Sequence, residues 1–320
     1  MHLLRHLSPS ALWLSGLLLA GGLAASAGHR ADPSGAKHQT AASLDTIPGT
    51  VWTTRDWKVF ESTVRWGASH RLDTMPVGPA MARLGATFVG ATYTPGTLEV
   101  PGPERLVVNL RAFDCVTLIE NVLALVRFIR HDGTSLLDDP PVARARYESY
   151  LRDLRYRGGV LNGYPSRLHY FSEWLTDHAA RGRLRLLADE LGGVPDPEPL
   201  HFMSSHPGSY RQLADARVLA AIVATEARLS RGPARWYLPQ EQIGPRGKDI
   251  QDGDLIAATS TLAGLDVAHT GIALWREGRL HLLHAPLVGR SVEISERPLA
   301  ERIRGIATQD GIMVARIIDP

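Results

Sequence analysis

Apolar positions change rhythm along the chain. Over 56–67 and 76–84 they recur every three or four residues. From 115 to 130, Val116, Ile119, Val122, Leu123, Val126 and Ile129 hold that spacing so regularly that the segment predicts a buried helix. The same spacing predicts helices over 142–156, 170–181 and 210–229. Beyond Trp236 the rhythm shortens to β-rich runs at 255–258, 269–275, 280–285, 292–294 and 312–318. Arg276-Glu277-Gly278-Arg279, between two of these runs, reads as a hairpin turn. Helices first and an antiparallel sheet after predict an α+β fold, with one domain over 47–320.

The first 27 residues stand apart. Arg5 is their only charge, 11–25 is apolar, and Ala25-Ser26-Ala27 has the small-x-small form of a cleavage site. This predicts a secretory signal peptide, because the apolar core falls short of the roughly 20 residues that span a bilayer. No Cys follows the apolar run, so a lipid anchor is not expected. Cleavage would leave a chain starting at Gly28 with a net charge of 34 − 33 = +1. The expected product is exported, periplasmic or extracellular, with no stable membrane insertion. Residues 28–46 are small and polar and read as a flexible linker.

Composition narrows the function classes. With 44% hydrophobic residues and 35 basic against 33 acidic residues, the chain is globular rather than disordered. Only three of the basic residues are Lys (Lys37, Lys58, Lys248), yet the acids are spread among the arginines, so no basic face for nucleic acid is expected. One Cys excludes an internal disulfide, and a free thiol in an exported chain needs a reason to persist.

Cys115 sits at the first turn of the strongest predicted helix, in Phe113-Asp114-Cys115-Val116-Thr117. Asp114 is a good N-cap. The partial positive charge of a helix start favours thiolate, which suits a nucleophile. The alternative is a small buried Cys packed as a hydrophobe. His269 opens one predicted strand and His284 ends the next, so the hairpin between them could align two imidazoles, one accepting the thiol proton and the other orienting it. His281, on the opposite face of its strand, is expected to be structural.

Five runs then carry a resemblance: Gly90-Ala91-Thr92-Tyr93-Thr94-Pro95-Gly96, Phe113-Asp114-Cys115, Asp252-Gly253-Asp254-Leu255, His269-Thr270-Gly271-Ile272 and His284-Ala285-Pro286. In this order they resemble the NlpC-type cell-wall cysteine peptidase and amidase superfamily. The spellings around Cys115 and over 166–174 are most similar to its N-acetylmuramoyl-L-alanine amidase-like branch. The resemblance implies a papain-like fold, with the Cys-bearing helix packed on a sheet that carries both His. It implies Cys115 as nucleophile, His269 as general base, His284 as the residue that orients it, and Tyr93 beside the nucleophile. The substrate implied is peptidoglycan or its fragments, cut between N-acetylmuramic acid and L-Ala through a thioester, with no cofactor. One departure bears on specificity. Related peptidases have Asp-Cys-Ser-Gly, whose Asp and Ser help hold a free peptide amine, whereas this chain has Asp114-Cys115-Val116-Thr117 and lacks the Ser.

Arg167, His169, Tyr170 and Trp174 are candidates for binding the glycan-peptide, since aromatic faces suit sugar rings and Arg suits carboxylates; the same residues could instead pack a helix start. His201 and His206, with His169 and His178, could suggest zinc. No His-Glu-x-x-His or Cys-x-x-Cys supports it, and no metal is expected. A γ-D-glutamyl-diamino acid endopeptidase and a non-catalytic peptidoglycan-binding module remain as alternatives.

Overall fold

The computed structural model describes residues 50–287 and 291–318. The expected signal peptide (1–27) and linker (28–46) lie outside the described residues.

The helical half forms where the sequence has caps. Helix α1 (Thr54–Ser69) starts at Thr53, whose hydroxyl accepts the Asp56 amide at 3.1 Å while Asp56 accepts the Thr53 amide at 3.2 Å, a reciprocal capping box. Helix α2 (Val77–Ala86) follows, then α3 (Cys115–His131), α4 (Pro140–Arg155) and α5 (Phe171–Ala180). Asp139 caps α4 and two prolines open it, where their missing N–H groups cost nothing. Helix α3 is buried on nearly all sides, from Leu118 to Ile129. Its Phe128 meets Phe60 edge-on at 4.9 Å, and Phe60 in turn packs on Tyr147 of α4. Two charges sit inside this core as a pair: Arg155 donates to Glu120 at 2.7 Å and to the Val107 carbonyl at 2.6 Å.

Short strands stitch the helices together. Strand β1 (Thr50–Val51) pairs in parallel with β3 (Leu106–Val107), and β2 (Thr92–Tyr93) pairs in parallel with β4 (Ala112–Phe113). Strands β5 (Leu184–Leu186), β6 (Val194–Asp196), β7 (Arg235–Pro239), β8 (Leu255–Thr259), β9 (Val267–Arg276), β10 (Arg279–His284), β11 (Glu293–Ile294) and β12 (Gly311–Ile317) make the main antiparallel sheet. Its order among the described residues is β11-β10-β9-β8-β12-β7-β6, with β5 on the far end of β12.

Alternation along the strands sorts the two faces. Leu255, Ala257, Ile272 and Leu283 join the core that holds α3. Ile256, Ala258, Leu280 and Leu282 pack with Ile243 of α8 (Gln240–Arg246) and with Leu299 and Ile303 of α9 (Leu299–Arg304). A smaller core lies under α6 (Phe202–Ser205) and α7 (Ala216–Ser230), built on Tyr170, Leu200, Phe202, Met203 and Ile222.

The α+β expectation therefore holds, as does the hairpin. Arg276 pairs with Arg279, and the two turn residues, Glu277 (φ 52°) and Gly278 (φ 74°), are both left-handed, as a two-residue hairpin requires. The helix expected over 210–229 is divided. Asp215 caps α7 by accepting the Arg217 amide, so 211–214 forms a separate 3-10 turn. Strands β5 and β6 and the short helices α6, α8 and α9 were not expected, being too short to show a period.

Candidate active site

Strand β4 runs directly into α3 through Asp114. One oxygen of the Asp114 carboxylate accepts the Val116 amide at 3.1 Å and the Thr117 amide at 2.8 Å, and Thr117 Oγ1 accepts the Asp114 amide at 2.9 Å. Cys115 is thereby fixed as the first residue of the helix, 3% exposed. Burial pushes the thiol up to about 11, and the Asp114 charge adds to the rise; Thr270 and the Cys115 amide pull the other way. Thr270 Oγ1 has no hydrogen-bond partner among the described residues, so its pull is a weak one. The helix start favours thiolate, but desolvation and a neighbouring anion outweigh it at rest.

Strand β9 places His269 one residue before Thr270, and β10 ends on His284. His269 Nε2 lies 2.8 Å from His284 Nδ1, with the rings nearly perpendicular at 84°. One of these nitrogens donates and the other accepts. His269 Nδ1 and His284 Nε2 are buried without a hydrogen-bond partner. If His269 carries its proton on Nε2, its Nδ1 lone pair is open, and His284 then carries its own proton on Nε2, 3.5 Å from Glu293 Oε1. That single assignment gives every polar atom of the pair a role. Burial drives the His269 pKa well below the ordinary value, helped by the His284 and Arg302 charges, and burial with Arg302 takes His284 down to about 3. Both rings rest neutral.

Tyr93 is held opposite Phe113 in the β2–β4 pair, 6% exposed. Burial, then the Cys115 and Asp114 charges, push its phenol far above the ordinary range, so it remains an O–H donor near Cys115. Two residues at this site gave no signal in the sequence. Glu293 stands opposite His284 on β11, and the Arg302 charge on α9 acts on both rings. Glu293 falls in the β-rich run read over 292–294 but nothing singles it out there, and α9 is too short to show a period.

The 167–174 segment takes the second of its two readings, packing around a helix start. The Arg167 guanidinium is spent on Glu104 at 2.7 Å and Glu99 at 2.5 Å, and it stacks over Tyr164. It ties down the 98–104 loop. His169 Nε2 bonds the Tyr164 carbonyl at 2.9 Å, and burial lowers its pKa to about 3. Tyr170 and Trp174 are corrected from glycan-facing to core positions. The Tyr170 hydroxyl donates to Glu226 at 2.7 Å and accepts the Met203 amide at 3.1 Å, while Trp174 is fully buried and stacked on Phe171. Their aromatic faces are covered because each lies on the inward side of the start of α5. His281 Nδ1 bonds the Ser295 carbonyl at 2.8 Å, His201 bonds Ser205 and His206 bonds the Phe202 carbonyl. Among the described residues no three His, Cys, Asp or Glu side chains converge as a metal site would require.

Known proteins share this architecture. A crystal structure of an N-acetylmuramoyl-L-alanine amidase from Bacteroides uniformis is 33% identical with a TM-score of 0.69, over 76% of this chain and 99% of its own. A Bacteroides fragilis protein proposed to be a xylanase is 32% identical with a TM-score of 0.66, over 73% of this chain and 99% of its own. A Legionella pneumophila protein at 19% identity and a TM-score of 0.58, over 82% of this chain and 96% of its own, shares the fold alone. None of the curated proteins matches. The pattern of one family matches residues 83–312, and on that span this chain belongs to the N-acetylmuramoyl-L-alanine amidase-like family.

Proposed function

We propose that the protein is an exported cysteine amidase that hydrolyses the amide between the lactyl group of N-acetylmuramic acid and L-Ala in peptidoglycan or its fragments. The observation that carries this reading is the buried His269–His284 pair, with His269 Nδ1 left open, on a strand that meets the only Cys of the chain through Thr270. Family membership and the Bacteroides uniformis amidase supply the substrate class.

The chemistry follows from the resting charges. Thiol and imidazole are both neutral, so Cys115 passes its proton to His269 Nδ1 as Sγ attacks the carbonyl carbon. His269 becomes a cation at that moment, and His284 stabilises it by accepting from Nε2, backed by Glu293. The tetrahedral oxyanion takes the Cys115 amide and the Tyr93 hydroxyl as donors. Collapse expels the L-Ala amine, protonated by His269, and leaves a thioester that water hydrolyses with the same imidazole as base.

The test is mass spectrometry of defined muropeptides digested by wild type and by Cys115→Ala. Wild type releases a free L-Ala amine and an intact sugar acid, and Cys115→Ala loses the activity by several orders of magnitude. Wild-type turnover by Cys115→Ala would refute the cysteine mechanism. Cleavage after γ-D-glutamate instead would make the protein an endopeptidase.

A further inference from the structure

The main sheet splits along one side of β12. Strand β8 covers the other side from Ile312 to Ala315. On the split side Gly311 and Ile312 pair with β7, whereas Ala315 to Ile317 pair with β5, so β7 and β5 part around Met313 and Val314. A cavity of about 240 Å³ opens in that gap. Leu175 of α5, Ala188, Met313 and Val314, each at most 4% exposed, give it an apolar lining. Trp236 on β7 and Leu186 at the end of β5 also line it, and at 40% and 41% exposed they stand at its mouth. Trp236 is the only exposed Phe, Tyr or Trp among the described residues. An apolar hollow with a few polar groups at its rim has the make-up of a small-ligand site, and a volume below the roughly 300–1,000 Å³ of drug-sized sites leaves room for one ring and not for a chain.

The rim selects the ligand. Asp189 and Glu190 line the cavity and are exposed. The Asp189 carboxylate makes no hydrogen bond or ion pair among the described residues, and Glu190 has only a loose pair with Arg185 at 3.5 Å. The one cation of the lining, Arg235, is spent on Asp196 at 2.8 Å and on the Glu198 carbonyl. Two carboxylates with no free cation disfavour an anion and offer acceptors to hydroxyl groups. The indole beside them offers a flat apolar face, which suits the C–H face of a sugar. A small ammonium would match the charge, but it would fill little of the hollow and meet one ring where a cage has several. We infer that the cavity binds a neutral pyranose ring, stacked on Trp236 with its hydroxyls donating to Asp189. The natural identity of the ring rests on the amidase reading, which makes it an amino sugar of the peptidoglycan glycan. The gap lies three strand spacings from β9, about 14 Å across the sheet, so the sugar held there is not the one at the scissile bond.

Two measurements test this, and they fail separately. The first is calorimetric titration of wild type, Trp236→Ala, Trp236→Phe and Asp189→Ala with tri-N-acetylchitotriose, a neutral oligosaccharide of N-acetylglucosamine. Wild type should bind it saturably, Trp236→Ala and Asp189→Ala about tenfold more weakly, and Trp236→Phe should keep most of the affinity. Absence of saturable binding by wild type overturns the inference. So does unchanged affinity in Trp236→Ala, which would move the sugar to the catalytic cleft, and so does tighter binding of choline than of the saccharide, which would make this a cation site. The second compares intact sacculi with soluble muropeptides as substrates. Trp236→Ala should slow hydrolysis of sacculi several-fold and leave kcat/KM for muropeptides unchanged, and equal effects on the two overturn a role in holding the glycan. If wild type cuts neither substrate but binds the saccharide through Trp236, the amidase reading fails and the sugar site stands.

Discussion

His178 makes the protein's tolerance of acid calculable. Its ring is 1% exposed in the last turn of α5, where Nδ1 lies 2.9 Å from Arg181 Nη2 and Nε2 lies 3.0 Å from the Leu154 carbonyl. Arginine can only donate and a carbonyl can only accept, so the ring must be neutral with its proton on Nε2. A helix C-terminus would favour the imidazolium, but burial and the adjacent guanidinium win, and the pKa falls from the ordinary 6.5 to about 4. The native state therefore binds the proton less tightly than the unfolded chain. Its stabilising contribution is present above pH 6.5 and is lost as pH falls toward 4. The shift is worth on the order of 3 kcal/mol. His178→Gln can keep both bonds, Nε2 donating to Leu154 and Oε1 accepting from Arg181, and cannot titrate. Urea unfolding of the two proteins at about pH 7 and about pH 4 should show a loss of stability smaller by about 3 kcal/mol in the variant. An identical loss in both, or an NMR titration of His178 at its ordinary value, would refute the reasoning.

Three further outcomes follow from the site and its support. His269→Ala should lose nearly as much muropeptide hydrolysis as removal of the thiol, and His284→Ala less, because it acts only through the first ring; steady-state kcat for the two variants checks the order. Asp114→Ala should lower stability by about 1–2 kcal/mol through loss of the cap, whereas Asp114→Asn keeps most of that and removes the anion beside Cys115, so its thiol should alkylate at lower pH than the wild-type thiol. Val116 offers no hydrogen bond to a terminal ammonium, so a peptide with a free L-Ala amine should be cut far more slowly than its N-acetylmuramoyl form, a penalty of about 1–3 kcal/mol in kcat/KM; the reverse preference would point to the endopeptidase.

What the sequence revealed and what it hid divide along one physical line. Helix α3, the 276–279 hairpin and the cap before Cys115 were legible because each is local, a period or a turn or a capped start, and the hairpin sets His269 beside His284 as expected. Trp174 and Tyr170 misled because their spacing showed a helix start but not the elements that cover it; Phe171 and the α6–α7 core do so from up to 56 residues away. Arg302 and Glu293 were silent for the same reason. The six residues of α9 carry no readable period, and although β11 falls within the 292–294 run, only its pairing with β10 sets Glu293 beside His284. The resting charge of Cys115 also depends on burial, which a helix-start argument does not contain.

The parallel pairing of β2 with β4 has a consequence for how this scaffold can vary. Thr92 and Tyr93 lie beside Ala112 and Phe113, the Thr94 amide bonds the Phe113 carbonyl, and Thr92 also bridges to Ser291. The chain thus leaves the neighbourhood of Cys115 at residue 94 and returns to it at 111 through a clamped neck. What happens inside that excursion is uncoupled from the distance between Tyr93 and Cys115. Doubling the length of such a loop adds only about 0.6 kcal/mol of closure entropy. Insertions, deletions or grafted sequences in the 96–103 part of that excursion, before the buried β3 segment, can therefore vary while Tyr93 and Cys115 keep their places, with the Arg167 contacts to Glu99 and Glu104 as the anchor that a replacement loop would need to supply.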